Sequence, residues 1–371
     1  MSSRRREYRS HPVGSAHNYH AVVRQPTLQD VADRAGVHRA TASRALNPAT
    51  RHLVNGETAD RVERVAQSLG YRPNPIARSL KTARSSSIGL VIPDLTNPLF
   101  PPIARGIEDV LGSIGYNAWI VNTDNDPVRE AAAVESMRGR SVEGFIFATA
   151  RLAHPLLDQL VSQGSPLVLV NRRTARSDIS SVTADDAAGV AQAMRHLVEL
   201  GHSRIVHLAG PQGLSTGVNR LRAFRQALTD HGLPSGAERT VICQSWTEAA
   251  GAVGIASLLD AGVDFTAVLA GNDLLAVGCY NELAARGVSC PDDVSVVGFN
   301  DMPFVDKLNP PLTTARIPHY ELGAEAARML LEDLRMPQRP PRTVLLPPSL
   351  IVRGSTAPPK TRNGAGRRRS R

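Results

Sequence analysis

Apolar residues at Leu28, Val31, Ala32, Ala35 and Val37 recur at helical spacing and are broken at Gly36, and a second short helix is predicted from about Arg39 to Leu46. Two short helices joined by a glycine turn form the helix-turn-helix pattern, although two amphipathic helices of an ordinary globular domain would read alike. Pro48–Val54 reads as a loop. Asn55 is a candidate N-cap, with Glu57 and Asp60 in the first turns, for a third helix whose apolar face is Val62, Val65, Ala66 and Leu69 and which Gly70 stops. The three make a head of about 45 residues, near the lower limit for independent stability. Tyr71–Thr82 contains two prolines in three residues, then a short predicted helix, Pro75–Lys81, too short to hold by itself in water.

From Ser87 the pattern alternates between buried strands and amphipathic helices. A first series is strand Ser87–Pro93, helix Pro102–Gly115, strand Asn117–Asn122, helix Val128–Arg140, strand Gly144–Ala150, helix Pro155–Gly164 and strand Leu167–Asn171. A second begins near Asp185 with helix Ala187–Gly201, strand Arg204–Ala209, helix Val218–Gly232, strand Thr240–Cys243 and helix Trp246–Ala261. It continues with strand Ala267–Ala270, helix Asp273–Gly287 and strand Val294–Asn300. Short βα repeats imply parallel sheets covered by helices on both faces, and this many residues exceed one comfortable core. The fold class is therefore a small all-α head followed by an α/β body of two doubly wound parallel-sheet lobes, with a ligand cleft at the carboxyl ends of the strands.

Charge sharpens this division. The net charge of +9 is unevenly placed: residues 1–25 carry +4, residues 26–82 another +4 and residues 355–371 carry +6, which leaves 83–354 at −5. A mildly acidic body with basic ends suits a DNA-binding head on a soluble sensor. Residues 1–25 and 355–371 lack an apolar pattern and are expected to be disordered basic extensions. Hydrophobic content of 42% is ordinary, no apolar run reaches the ~18 residues of a membrane span, and the basic N-terminus lacks a signal-peptide core, so a cytoplasmic, nucleoid-associated protein is expected. Cys243, Cys279 and Cys290 have no metal-ligand spacing and their odd number argues against a disulfide framework. Neither a metal nor a cofactor is expected. A Gly-rich phosphate loop, a dinucleotide fingerprint and a G-x-S-x-G elbow are all missing, which argues against an enzyme.

The second helix offers Arg39, Thr41, Ser43 and Arg44 on its polar side, all donors suited to phosphates and base edges. Here the chain resembles the LacI/GalR family of transcriptional repressors. The family's T-x-x-D-V-A-x-x-A-G-V-S-x-x-T-V-S-R-x-L-N run appears as Thr27, Asp30-Val31-Ala32, Ala35-Gly36-Val37, Thr41, Ser43-Arg44 and Leu46-Asn47. His38 stands where the family usually has Ser, and Ala42 where it often has Val. His is the weaker N-cap, by up to ~1 kcal/mol, and is also placed to meet a phosphate.

The resemblance implies a homodimer on a palindromic double-stranded DNA operator. Major-groove contacts would come from Thr27, His38, Arg39, Ala40, Thr41, Ser43, Arg44 and Asn47, with Arg39, Ala40 and Arg44 as base readers. Residues 26–72 would be the head and 73–84 a linker with a hinge helix. From that hinge helix Ala77, Leu80 and Lys81 would enter the minor groove, Leu80 as the wedge at a central CG step. The body, 85–354, would be periplasmic-binding-protein-like. Its first lobe would hold about 85–184 and 317–345, its second about 185–314 and 346–354, with crossovers near 171–188, 311–317 and 345–350.

Loops after strands supply the cleft candidates. Asn97 and Phe100 lie in a segment similar to the family's D-x-x-N-P-F/Y-F, and Phe100 reads equally as core. Arg220, in R-L-R-A-F, matches an arginine that reaches into the cleft, while Arg222 and Arg225 read as solvated. Trp246 matches an aromatic that stacks on ligand; Trp119, in an apolar strand, reads as core. Asn272 and Asp273 match N/C-x-D, with Asp273 open to a second reading as a helix cap. Asn300 replaces the first acid of G-Y/F-D-D, an amide that suits a hydroxyl better than a cation. Arg172 is a further candidate, and His202 resembles a structural turn. Together these point to a sugar or sugar-acid effector, and to an effector-controlled repressor. The alternatives are a sugar-binding protein without a DNA role and an architectural DNA-binding protein.

Overall fold

A computed structural model of the chain describes residues 26–47, 50–72 and 85–360. Helix α1 (Leu28–Ala35) starts with a capping box: Thr27 Oγ1 accepts from the Asp30 N–H at 3.3 Å and Asp30 Oδ2 accepts from the Thr27 N–H at 2.7 Å. Gly36 ends it at φ 64°, a conformation any side chain would strain. Helix α2 (Arg39–Ala45) is capped by His38, whose Nδ1 accepts from the Ala40 N–H at a long 3.3 Å. Helix α3 (Gly56–Leu69) is capped by Asn55, which accepts from the Glu57 N–H at 3.0 Å. Their shared core is Val31, Val62 and mostly alanines: Ala32, Ala35, Ala42, Ala45, Ala59 and Ala66. Small side chains let the helices approach closely but bury little apolar area, so the caps matter to this unit. The chain divides at Thr82 and Ala83 into this head and the larger body.

The body holds two six-stranded sheets. The first has the order β11-β5-β4-β3-β1-β2 and is parallel throughout: β1 (Ser87–Ile92), β2 (Asn117–Asn122), β3 (Gly144–Phe147), β4 (Leu167–Val170), β5 (Ser180–Ala184) and β11 (Thr343–Leu346). The second has the order β12-β10-β9-β8-β6-β7: β6 (Ile205–Ala209), β7 (Thr240–Ile242), β8 (Ala267–Ala270), β9 (Ser295–Asn300), β10 (Thr313–Arg316) and β12 (Ser349–Ile351). It is parallel except for β12 against β10. Strands β1, β3, β4, β6, β8 and β9 are buried along their whole length, the signature of sheets covered on both faces.

The covering helices are α4 (Phe100–Gly112), α5 (Pro127–Gly139), α6 (Pro155–Ser162) and α11 (His319–Arg335) in the first lobe. In the second they are α7 (Asp186–Glu199), α8 (Ser215–Asp230), α9 (Glu248–Asp260) and α10 (Asp273–Ala285). Each lobe contains one helix pair in backbone contact. A Cβ on Gly323 of α11 would stand 1.9 Å from the Ile103 carbonyl oxygen of α4, and one on Gly278 of α10 1.9 Å from the Glu248 oxygen of α9.

The chain passes between the sheets three times, between Ala184 and Asp186, between Arg316 and His319 and between Leu346 and Ser349. Strand β5 lies inside the expected first crossover; its sequence, SSVTA, shows neither an apolar run nor clean alternation. Strand β10 carries the second lobe to Arg316 and β11 carries the first to Leu346, each slightly past the expected limits. Two further expectations are corrected. Trp119 is no core residue: it sits on edge strand β2, 40% exposed, with the Arg140 guanidinium 4.9 Å from its ring centroid. Residues 355–360 are packed, not a free tail. Ser355 is fully buried, accepts from the Val296 and Thr313 N–H groups and donates to the Val296 carbonyl, satisfying backbone groups that the short β9 and β10 leave open. His202 ties the same segment down, lying 2.9 Å from the Ala357 carbonyl oxygen.

Candidate functional site

On α2, Ala42 and Ala45 turn inward. His38, Arg39, Ala40 and Arg44 are exposed, and Thr41, Ser43 and Asn47 are half-buried beside them. Arg51 is held by Asp60 and Glu63, whereas Arg39 and Arg44 stand out from the surface. Thr27 is exposed but committed to the cap of α1. Ala77, Leu80, Lys81 and the expected hinge helix lie outside the described residues.

In the body, the carboxyl ends of the strands bring two of the candidates, Trp246 and Asn300, against Arg220. Helix α8 starts at Ser215, three residues before the expected Val218, and places Arg220 one turn in, 3% exposed. Its Nε donates to Asp186 Oδ1 at 2.8 Å, Nη1 to the Gly271 carbonyl at 2.6 Å and Nη2 to Asn300 Oδ1 at 3.4 Å. The guanidinium lies 3.8 Å from the Phe299 ring centroid and 5.5 Å from that of Trp246. Helix α9 begins at Glu248, because Thr247 caps it, so Trp246 sits in the preceding loop and not in a helix. Its indole lies against Gly210 and Gly271 at the ends of β6 and β8, where a Cβ would come within 2.0 and 2.9 Å of the ring.

Asn272 and Asp273 support the site from behind. Asn272, not Asp273, caps α10, accepting from the Leu275 N–H at 2.9 Å. Asp273 accepts from the Met302 N–H at 2.7 Å and from Thr314 Oγ1 at 2.6 Å, and burial pushes its carboxyl up to about 7. These bonds hold a loop in which Asn300 and Asp301 take φ of 119° and 58°. Asp301 is itself clamped by Arg316 and Arg353.

The first lobe contributes Arg172, at the end of β4 and 6% exposed. Its Nε has no hydrogen-bond partner, and burial followed by the charges of Arg220 and Arg151 lowers it to about 10. Near it, buried Glu130 accepts from Thr149 and Arg151 and meets His154 Nε2 at 3.0 Å. The walls are joined by the Leu152 N–H to the Gly213 carbonyl and the Arg173 N–H to Ser215 Oγ, both 3.0 Å. Asn97 is half-buried, with Oδ1 accepting from the Leu99 N–H. Phe100, 1% exposed, lies in the hydrophobic core.

Sequence reasoning missed Asp186 and the Glu130 cluster. Asp186 was masked by Asp185, the actual N-cap of α7, which accepts from the Ala188 N–H at 3.0 Å. A second aspartate redundant for capping was the available signal. Glu130, in the first turn of α5, looked like an ordinary helix-start acid.

Comparison with known proteins covers both parts of the chain. Residues 27–74 match the family model of bacterial regulatory proteins, lacI family, and residues 194–356 that of the periplasmic binding protein-like domain. The HTH-type transcriptional regulator DegA of Bacillus subtilis (strain 168) is 33% identical over 90% of this chain and 99% of its own. The ribose operon repressor of Halalkalibacterium halodurans is 32% identical over 89% and 97%. Among solved structures, the lac repressor dimer bound to operator and the anti-inducer ONPF superposes with a TM-score of 0.79 at 26% identity, over 90% of this chain and 99% of that one.

Proposed function

The chain belongs to the LacI family of bacterial transcriptional regulators, and from that membership we propose that it is a dimeric repressor whose grip on a palindromic operator is set by a sugar-type effector in the cleft. In this reading Arg39, Ala40 and Arg44 read bases in each half-site, while His38, Thr41, Ser43 and Asn47 meet the backbone. Ala77, Leu80 and Lys81 read the operator centre, at a pyrimidine–purine step that unstacks readily. The effector is received by Arg220, Trp246, Asn300 and Arg172, with Asn97 at the rim and Asn272, Phe100 and Asp273 supporting. The protein acts in the cytoplasm on the nucleoid, and the reading assigns it no catalysis.

The observation that carries the effector half of this reading is the Arg220 constellation: a guanidinium on two rings, beside an amide, at the carboxyl ends of β6, β8 and β9. Flat aromatic surface with forked donors is how proteins grip the faces and hydroxyls of sugars. Effector binding would shift the lobes, and such coupling is typically worth ~1–3 kcal/mol and reciprocal. Selection from random duplexes with the full chain tests the DNA half. A two-fold site with a central CG step, lost in Arg44→Ala, is expected; sites without a symmetric centre would overturn it.

A further inference from the structure

We propose that the effector is an anion, a polyhydroxylated acid or phosphate ester whose negative group is received by Arg172. This deepens, and rests on, the reading of the cleft as the effector site.

Arg172 is a buried cation that forms no salt bridge among the described residues, and the charge of Glu130 favours it only from a distance. It is 6% exposed, its Nε makes no hydrogen bond, and no carboxylate pairs with it among the described residues. The carboxylates at this end of the sheets are already engaged. Glu130 holds Thr149, Arg151 and His154. Asp186 holds Arg220 and Asn219. Asp273 holds the Met302 N–H and Thr314, and Asp301 holds Arg316 and Arg353. Each of these carboxylates already has its own cationic or hydrogen-bonding partners, so around Arg172 burial and the repulsion of Arg220 and Arg151 outweigh the attraction of Glu130. These effects lower its pKa only to about 10, so it remains charged at neutral pH.

Buried charges in folded proteins are paired. A guanidinium kept buried and without a salt bridge just past the carboxyl end of β4, where the proposed function puts the effector, calls for its counterion to arrive with the ligand. Neutral hydroxyls would satisfy its donors without cancelling its charge; a carboxylate or phosphate does both, and takes the forked donors in bidentate fashion. Asn300 fits the same sign, because at that position an amide offers hydrogen bonds without a carboxylate that would repel an anion.

The test is calorimetric titration of the full chain with a panel in which neutral sugars stand beside their acids and phosphates: glucose, gluconate, glucuronate and glucose 6-phosphate, and the matching galactose and ribose series. At least one anion should bind at least 100-fold more tightly than its neutral parent. Carboxylate against phosphate members distinguish the two sources of charge. Arg172→Gln should abolish that discrimination, and Arg172→Lys should restore part of it. Without ligand, Arg172→Gln should melt ~2–4 °C higher than the wild type, since an unpaired buried charge is gone. Neutral sugars binding as tightly as their acids would overturn the inference and leave the cleft reading standing. A panel without any binder would overturn both. An unliganded Arg172→Gln that melts lower would make the arginine a structural residue and overturn the inference alone.

Discussion

Asp273 holds the Asn300 loop from below, and its titration can be read in stability. An acid raised from its ordinary 3.8 to about 7 binds more protons folded than unfolded between those values. Its stabilising contribution is complete below the lower value and is withdrawn as pH climbs to the upper one. Urea denaturation should therefore show the wild type losing stability from pH 4 to pH 8 through this group, by an amount on the order of a few kcal/mol. Asp273→Asn keeps an acceptor for the Met302 N–H and should flatten that slope; an unchanged slope would remove Asp273 as its source. At this scale the positions of Trp246, Asn272 and Asn300 near the carboxyl ends of strands were legible from the strand pattern, whereas Arg220, inside α8, stood out only through the R-L-R-A-F resemblance. The sequence did not disclose Asp186, whose neighbour performs the capping that would explain both, nor that Trp119 sits on a sheet edge, which depends on strand order rather than on strand composition.

Among the elements, the three head helices depend most on their ends. With a core built largely of alanine, each cap is a sizeable share of the unit's stability. Thr27→Ala removes one arm of the capping box and should cost ~1 kcal/mol of head stability, followed by circular dichroism melting. His38→Asn replaces a 3.3 Å ring contact with a better capping group and should raise the same melt, by up to ~1 kcal/mol; a lower melt would show that His38 is already the stronger cap here. The helices were legible because glycine stops and polar caps bracket an apolar face of period 3.6. The short strands β5, β10, β11 and β12 were not. Three to five residues carry too little pattern, and what makes them strands is the neighbour each one pairs with.

The whole molecule is two units of very different size. Scanning calorimetry should resolve a head transition and a body transition. An effector at ~100 times its Kd adds ~2.7 kcal/mol to the body alone, moving the body peak up by several degrees and leaving the head peak in place without DNA. A single peak that moves as one would contradict the independence of the units. That the body has two lobes was legible from the number of βα repeats, since one core cannot accommodate them all. Where the chain leaves one sheet for the other was legible only through family resemblance, because each passage takes a few residues with no composition of their own.

Those passages have a consequence for how the protein is made. The first lobe's strands β1–β5 are complete once Ala184 has been synthesised, yet α11, which packs on β3, β4 and β5, and the edge strand β11 come from residues 319–346. A ribosome adding ~5–20 residues per second needs roughly 8–30 s to reach them. Through that interval the nascent chain presents an apolar sheet face awaiting Leu322, Ala326, Met329 and Leu330. The lobe nearest the N-terminus is thus among the last parts of the body to close, and that open face is where a nascent-chain chaperone would be needed most.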